Sequence, residues 1–263
     1  MSKAVVITGS SRGLGLGLVT RFLEAGCRVV LNGSSAESTQ RALDSLNRFG
    51  DAVTGFAADV STAESIEALF DFAERSFGRV DIWINNAGIA HRQLPAWQLG
   101  DDEIRRVLST NIDGVVNGTL IPFRRMQSAG GGLILNMEGL GSDGFMLAGM
   151  TIYGTTKSAV TYFTRSLARE ASQTKVRIGT ISPGMVVTEM LRATVTGDDD
   201  EAAKRRRFFN IMADDVDTVS AFVCKKILAS TAASPRIAWL TRPRIIHKML
   251  TAPFRRRDFF GHL

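Results

Sequence analysis

The sequence predicts a single doubly wound α/β domain, residues 1–263, built on a mostly parallel sheet of about seven strands. Three observations predict it. Short apolar runs rich in β-branched residues alternate with longer amphipathic stretches, with few hairpin signals between them. A glycine-rich turn joins the first such run to the first helical stretch. A chain of 263 residues is ample to bury a core on both faces of one sheet.

The run Ala4-Val5-Val6-Ile7-Thr8 reads as a buried strand. Gly9-Ser10-Ser11-Arg12-Gly13-Leu14-Gly15 follows at once, and 14–25 is helical in pattern. This order points backbone N–H groups and a helix N-terminus at a phosphate. The glycines permit the tight turn and let a pyrophosphate approach the backbone. An ordinary strand–helix turn carries similar glycines, so the downstream residues decide. The second strand, 28–32, ends in Asn32-Gly33-Ser34-Ser35, where an NAD-preferring site would carry a carboxylate for the ribose 2′-hydroxyl. Arg12 can pair its guanidinium with a 2′-phosphate. Ser34 and Ser35 add hydroxyl donors, so the cofactor reading is NADP(H).

Residues 36–49 form the next predicted helix and 52–58 the third strand, which ends at Asp59-Val60. The helix over 62–77 takes Thr62 as its N-cap. The fourth strand, 80–84, runs into Asn85-Asn86-Ala87-Gly88. One long helix is predicted over 101–127 and includes Asn111, and the fifth strand is 133–137. Thr151-Ile152-Tyr153-Gly154-Thr155-Thr156-Lys157 then places Tyr153 and Lys157 on one helix face, about one turn apart. A phenol is a poor acid or base near neutrality, and a neighbouring cation lowers its pKa. Tyr153 can then give a proton to a carbonyl oxygen or take one from an alcohol.

The sixth strand, 176–182, is ended by Pro183-Gly184, and 185–212 is predicted to cover the substrate as a lid. Its run 198–207 reads as a helix with acids at the start and bases after, pairing Asp200 with Lys204 and Glu201 with Arg205. A helix over 215–229 and a last strand over 237–240 follow. The extension 241–263 is basic, and its stretch 244–254 reads either as an amphipathic interfacial segment or as a helix packed on the domain or on a partner subunit.

The turn Thr8-Gly9-x-x-x-Gly13-x-Gly15, the Asn85-Asn86-Ala87-Gly88 run, Asn111-x-x-Gly114 and Tyr153-x-x-x-Lys157 together resemble the short-chain dehydrogenase/reductase family over nearly the whole chain. That resemblance implies a Rossmann-type fold and hydride transfer between NADP(H) and a carbonyl/alcohol pair. It makes Tyr153 the proton donor or acceptor, Lys157 its partner and a ribose ligand, and Asn111 the support of a proton relay. It places Gly9, Ser11, Arg12, Gly13, Leu14, Gly15, Asn32, Ser34, Ser35, Asp59, Val60, Asn86, Ala87, Gly88, Pro183, Gly184, Val186 and Thr188 around the cofactor. A homodimer or homotetramer is also implied.

Most relatives carry a serine thirteen residues before the tyrosine, where this chain has Leu140; the nearest serine, Ser142, is expected to orient the substrate oxygen. The segment Asn136-Met137-Glu138-Gly139-Leu140-Gly141-Ser142 and the later Leu240-Thr241-Arg242-Pro243-Arg244-Ile245 resemble the chlorophyll b reductase branch of the family. Plant members of that branch carry further N-terminal sequence, so the expectation here is a compact relative. The implied substrate is a formyl group on a chlorin. Another apolar ketone or aldehyde remains open. So does a non-catalytic NADP(H)-binding module docked through the basic extension, although Tyr153, Lys157 and Asn111 argue against it.

The formal net charge is +6, concentrated in Lys204-Arg205-Arg206-Arg207 and Arg255-Arg256-Arg257, and no nucleic-acid motif accompanies it. No apolar run is long enough to span a bilayer. Cys27 and Cys224 sit in apolar surroundings and His91, His247 and His262 lack ligand spacing, so neither a disulfide nor a metal is expected. The default location is cytoplasm-like, with peripheral membrane contact through the basic extension as an option.

Overall fold

The computed structural model describes residues 2–195, 200–254 and 257–260. Seven strands form one all-parallel sheet in the order β3-β2-β1-β4-β5-β6-β7. The strands are β1 Ala4–Ile7, β2 Arg28–Gly33, β3 Val53–Ala57, β4 Ile82–Asn85, β5 Gly132–Met137, β6 Val176–Ser182 and β7 Arg236–Ala238. Helix α1 (Gly13–Glu24), α2 (Ala36–Ser45) and α3 (Ala63–Phe77) make the first crossovers. The order reverses between β1 and β4, and the crevice beyond their carboxyl ends is where such sheets bind ligands.

Strand alternation feeds two cores. Val5, Ile7, Val29 and Leu31 pack towards Leu18 and Phe22 of α1. Val6, Val30, Trp83 and Ile134 face the other way, towards Leu69 and Phe70 of α3. Both faces are buried, which is why the strands read as continuous apolar runs rather than alternating ones. Cys27 and Cys224 are buried free thiols in the first core.

The expected helix over 36–49 stops at Ser45; Leu46 turns into the core, and a 3₁₀ segment, Asn47–Ala52, contains Gly50 at φ 51°. The expected long helix is instead α4 (Asp101–Leu108), a π turn (Ser109–Asp113) and α5 (Gly114–Ser128). Thr62 and Asp215 cap their helices, accepting the N–H groups of Ser65 and Thr218.

After α6 (Thr151–Glu170) and β6 come α7 (Glu189–Arg192), α8 (Asp200–Met212), α9 (Val216–Ala229) and, beyond β7, α10 (Arg242–Thr251). The extension folds back onto the 185–212 segment. Buried Asp214 accepts from Lys248 Nζ at 2.7 Å, Arg257 Nη1 at 2.9 Å and Trp239 Nε1 at 2.7 Å. Phe260 is buried with Val195 and Phe209. Its packing alternative is therefore the one adopted on the side of Lys248 and Phe260, because a buried carboxylate needs these donors. The residues Asp198, Asp199, Arg255 and Arg256, which figured in the charge reading, lie outside the described residues.

Removing the hub leaves Lys248 buried without its counter-charge, and such losses cost about 3–5 kcal/mol. Asp214→Ala is therefore expected to lower the unfolding free energy by that amount, seen as a lower urea midpoint at unchanged slope in equilibrium unfolding.

Candidate active site

Gly9 and Gly13 adopt φ of 58° and 57°, and β1 turns through them into α1. A Cβ on Gly9 would lie 2.6 Å from Ala87 Cα, and one on Gly15 would lie 2.7 Å from Gly9 O, so the turn requires both glycines. Asn32 holds the turn from below. Its Oδ1 accepts from Gly9 N, while Nδ2 donates to Gly33 O, Phe56 O and Ala58 O. Its side chain thus braces the end of the sheet under the turn. Asn86 Nδ2 donates to Thr8 O and Gly9 O, and Thr8 Oγ1 accepts from the backbone of Asn86 and Ala87.

Helix α1 begins with Arg12 at its N-cap and no side-chain cap, so its first N–H groups face the crevice free for an anion. That uncapped terminus, beside glycines whose Cβ positions are filled by backbone, fits the pyrophosphate of a dinucleotide. Ser11 and Leu14 are half-buried on this turn. Arg12 Nη1 pairs with Glu189 Oε2 at 2.8 Å, both side chains exposed. Ser35 caps α2 through Ser38 N, and Ser34 beside it is exposed. Asp59 is exposed with Oδ1 on Ser61 N, and Val60 is buried under Gly114. On the far side, Gly184 turns at φ 71° against Leu240 after buried Pro183. Val186 points into the core, and the Thr188 methyl lies 3.5 Å from where Gly13 would carry a Cβ.

Tyr153 stands in the first turn of α6, and Lys157 follows one turn later. Lys157 Nζ lies 5.8 Å from the Tyr153 ring centre and donates to Met137 O at 3.2 Å. A Cβ on Gly139 would lie 2.8 Å from Tyr153 Oη, so the loop after β5 can pass the phenol only as glycine. A Cβ on Gly88 would lie 3.4 Å from both Lys157 Nζ and Asn111 Oδ1. Asn111 sits in the π turn, fully buried; Oδ1 accepts from Ile89 N, and Nδ2 donates to Ile89 O and Thr156 Oγ1. The structure thus brings Tyr153, Lys157, Asn111 and Gly88 together at the carboxyl ends of β4 and β5.

Ser142 stands in the loop after β5. Its Oγ accepts from Gly139 N at 3.0 Å and donates to Lys157 O at 3.2 Å, which fastens the loop to α6. Thr8, Gly139, Thr156 and His91 were not among the site residues expected from the sequence. The Gly139 constraint had a visible signal, the glycine spacing around Leu140, but the others take their places from distant segments.

Burial pushes the Tyr153 phenol up to about 12 and the Lys157 ammonium down to about 8. The expected lowering of the tyrosine by its lysine is corrected: both groups are desolvated by burial, and loss of water disfavours each charged form. At neutral pH Tyr153 therefore keeps its proton and Lys157 its charge.

The family model for short chain dehydrogenases matches residues 3–199. The chain belongs to that family. A protein of Arabidopsis thaliana named probable chlorophyll(ide) b reductase NYC1, chloroplastic, is 33% identical over 97% of this chain and 54% of its own length. The rice chlorophyll(ide) b reductase NOL, chloroplastic, is 35% identical over 86% of this chain and 66% of its own length. The chain thus spans about half the length of the first of these. The Brucella melitensis 3-ketoacyl-(acyl-carrier-protein) reductase, solved with NADH, superposes with a TM-score of 0.76 at 26% identity, covering 90% of this chain and 96% of that one. The Gluconobacter frateurii L-sorbose reductase, solved with NADPH and L-sorbose, gives 0.77 at 25% identity over 90% and 95%. The cytoplasmic expectation is overturned by the plant relatives, all four of which are named as chloroplastic. No described helix is long and apolar enough to cross a membrane.

Lys157 supplies a test of the site's electrostatics. Its pKa falls from 10.5 to about 8 on folding, so between those values the unfolded chain holds more protons and stability rises with pH. The difference in unfolding free energy between wild type and Lys157→Met is expected to move in favour of wild type by roughly 2 kcal/mol from pH ~7.5 to ~9.5. Urea unfolding at both pH values measures it, and a flat difference would remove the buried charge.

Proposed function

We propose that this short-chain dehydrogenase is an NADP(H)-dependent reductase acting on a carbonyl of an apolar substrate, with the 7-formyl group of chlorophyll b, reduced to 7-hydroxymethyl, as its substrate. The observation that carries the reaction class is Tyr153 with Lys157 Nζ 5.8 Å from its ring, beside the cofactor turn. When bound, the nicotinamide supplies the reducing equivalent. Tyr153 Oη donates its proton to the oxygen of the reduced carbonyl. The Lys157 charge stabilises the phenolate left behind, and Asn111 and Met137 O hold the surroundings of that charge. Ser142 serves by keeping Gly139 against the phenol. Residues 185–212 form the lid.

The 2′-phosphate reading is supported by the lack of a carboxylate between Asn32 and Ala36 and by Ser34, exposed at the start of α2. Arg12 is engaged by Glu189, but exposed ion pairs contribute at most about 1 kcal/mol, so a phosphate dianion competes readily for it. The apolar substrate is supported by Phe145, Met146 and Leu147, exposed in the loop that follows the Gly139 contact. The chlorin is supported by the names of the plant relatives. Peripheral membrane contact is supported by α10, whose Ile246, Met249 and Leu250 are exposed on one side, with Phe254 beyond. A homo-oligomer remains the expectation from the family.

Purified protein with NADPH and chlorophyll b, or its phytol-free form, is expected to convert the pigment, followed by its absorbance and by NADPH oxidation. Tyr153→Phe is expected to lower kcat at least about a hundredfold. NADPH binding without pigment turnover would sink the chlorin assignment, and a panel of other apolar aldehydes and ketones would then identify the substrate.

A further inference from the structure

We propose that His91 is a positioning residue for Tyr153: its neutral imidazole caps the catalytic helix at the tyrosine itself. This rests on the reading of Tyr153 as the proton donor. Helix α6 starts without a side-chain cap, since its N-cap is Met150, and it has no acid in its first turn. The N–H groups of a first turn lack intrahelical partners. One of them, the backbone N–H of Tyr153, donates to His91 Nε2 at 3.2 Å. The acceptor comes from a segment 62 residues earlier, directly after the Gly88 turn.

The hydrogen bonds settle the tautomer. A peptide N–H only donates, so Nε2 carries no proton, and the ring proton is on Nδ1. Nδ1 lies 2.6 Å from Arg92 O and donates to it. Both ring nitrogens are thus satisfied, and His91 is buried. Protonation would turn the acceptor into a donor facing a donor, next to the positive end of the helix.

The imidazole is itself fixed on both sides. Arg92 is held by Glu103 of α4 through its N, Nε and Nη2, at 2.8, 3.1 and 2.8 Å. Ile89 is held at both N and O by Asn111. His91 therefore transmits the position of α4 and of the π turn to the backbone of Tyr153. The phenol at the other end of that residue stands beside Gly139, within 2.8 Å of where a Cβ there would lie. A displacement of about 1 Å at a reacting group can cost about a hundredfold in rate. This makes the cap a constraint on catalysis and not only on helix stability.

Three proteins decide it: wild type, His91→Leu, which removes the acceptor, and His91→Gln, whose amide oxygen can take the place of Nε2. With the carbonyl substrate that wild type reduces, His91→Leu is expected to lose at least about tenfold in kcat, with KM and the NADPH Kd within about twofold. His91→Gln is expected to recover to within about threefold of wild type. An active wild type with an undiminished His91→Leu overturns the proposal, and so does a folded His91→Gln as slow as His91→Leu. A wild type that reduces nothing removes the reductase reading instead. Should His91→Leu fail to fold, nitrogen NMR of wild type labelled at its three histidines supplies the second arm. The expected His91 signals are a protonated Nδ1 and a bare Nε2 at neutral pH; an Nε2–H ring or an imidazolium overturns the proposal.

Discussion

The buried ammonium of Lys157 organises the candidate site. Lys157 is almost without exposure, and a cation in that position must be met by oxygen dipoles or lose its proton. The carboxyl end of β5 supplies Met137 O, and the π turn brings Asn111 Oδ1 close to the same point as Gly88. Each of these placements has a backbone cost. The π turn interrupts what would otherwise be one helix, and Gly88 and Gly139 leave out their side chains so that the lysine and the phenol fit. The residues that look redundant in a hydrophobic accounting are the ones that make room for this charge.

Around it, asparagine side chains do the work of backbone. Asn85 Nδ2 donates to Gly118 O and Asn136 Oδ1, while its own Oδ1 accepts from Trp83 Nε1. Asn136 Nδ2 donates on to Thr164 of α6. Asn32 and Asn86 do the same for the glycine turn. Parallel strands end in unpaired backbone groups at the edge where the ligand crevice opens. Amides carry both a donor and an acceptor, so they can splice those ends without adding charge beside the lysine.

Much of this was legible in the sequence. Every strand lies within two residues of its expected bounds, because burial on both faces writes itself as an apolar run. The glycine turn and the Tyr153–Lys157 pair are short-range patterns, and both stand where the spacing put them. What escaped was decided over long sequence distances. That the Asn32 side chain accepts from Gly9 N depends on where β1 and β2 meet. The bond of Ser142 to Lys157 O comes from the path of a loop that crosses α6 at Gly154. The tyrosine's elevated pKa follows from how deeply it is buried, which periodicity does not encode. The pairing of His91 with Tyr153 has no local signal at all.

The carboxylate of Asp214 receives the tail, and its backbone is bonded to the chain leaving β6: Asp214 N donates to Met185 O and Val187 N to Asp214 O. The tail and the wall of the crevice are therefore coupled in series through one residue. The shortest bonded route from α10 to the chain after β6 runs from Lys248 through Asp214 to Met185 and Val187. Lys248 and Arg257 are thus tied, through Asp214, to the chain that leaves β6.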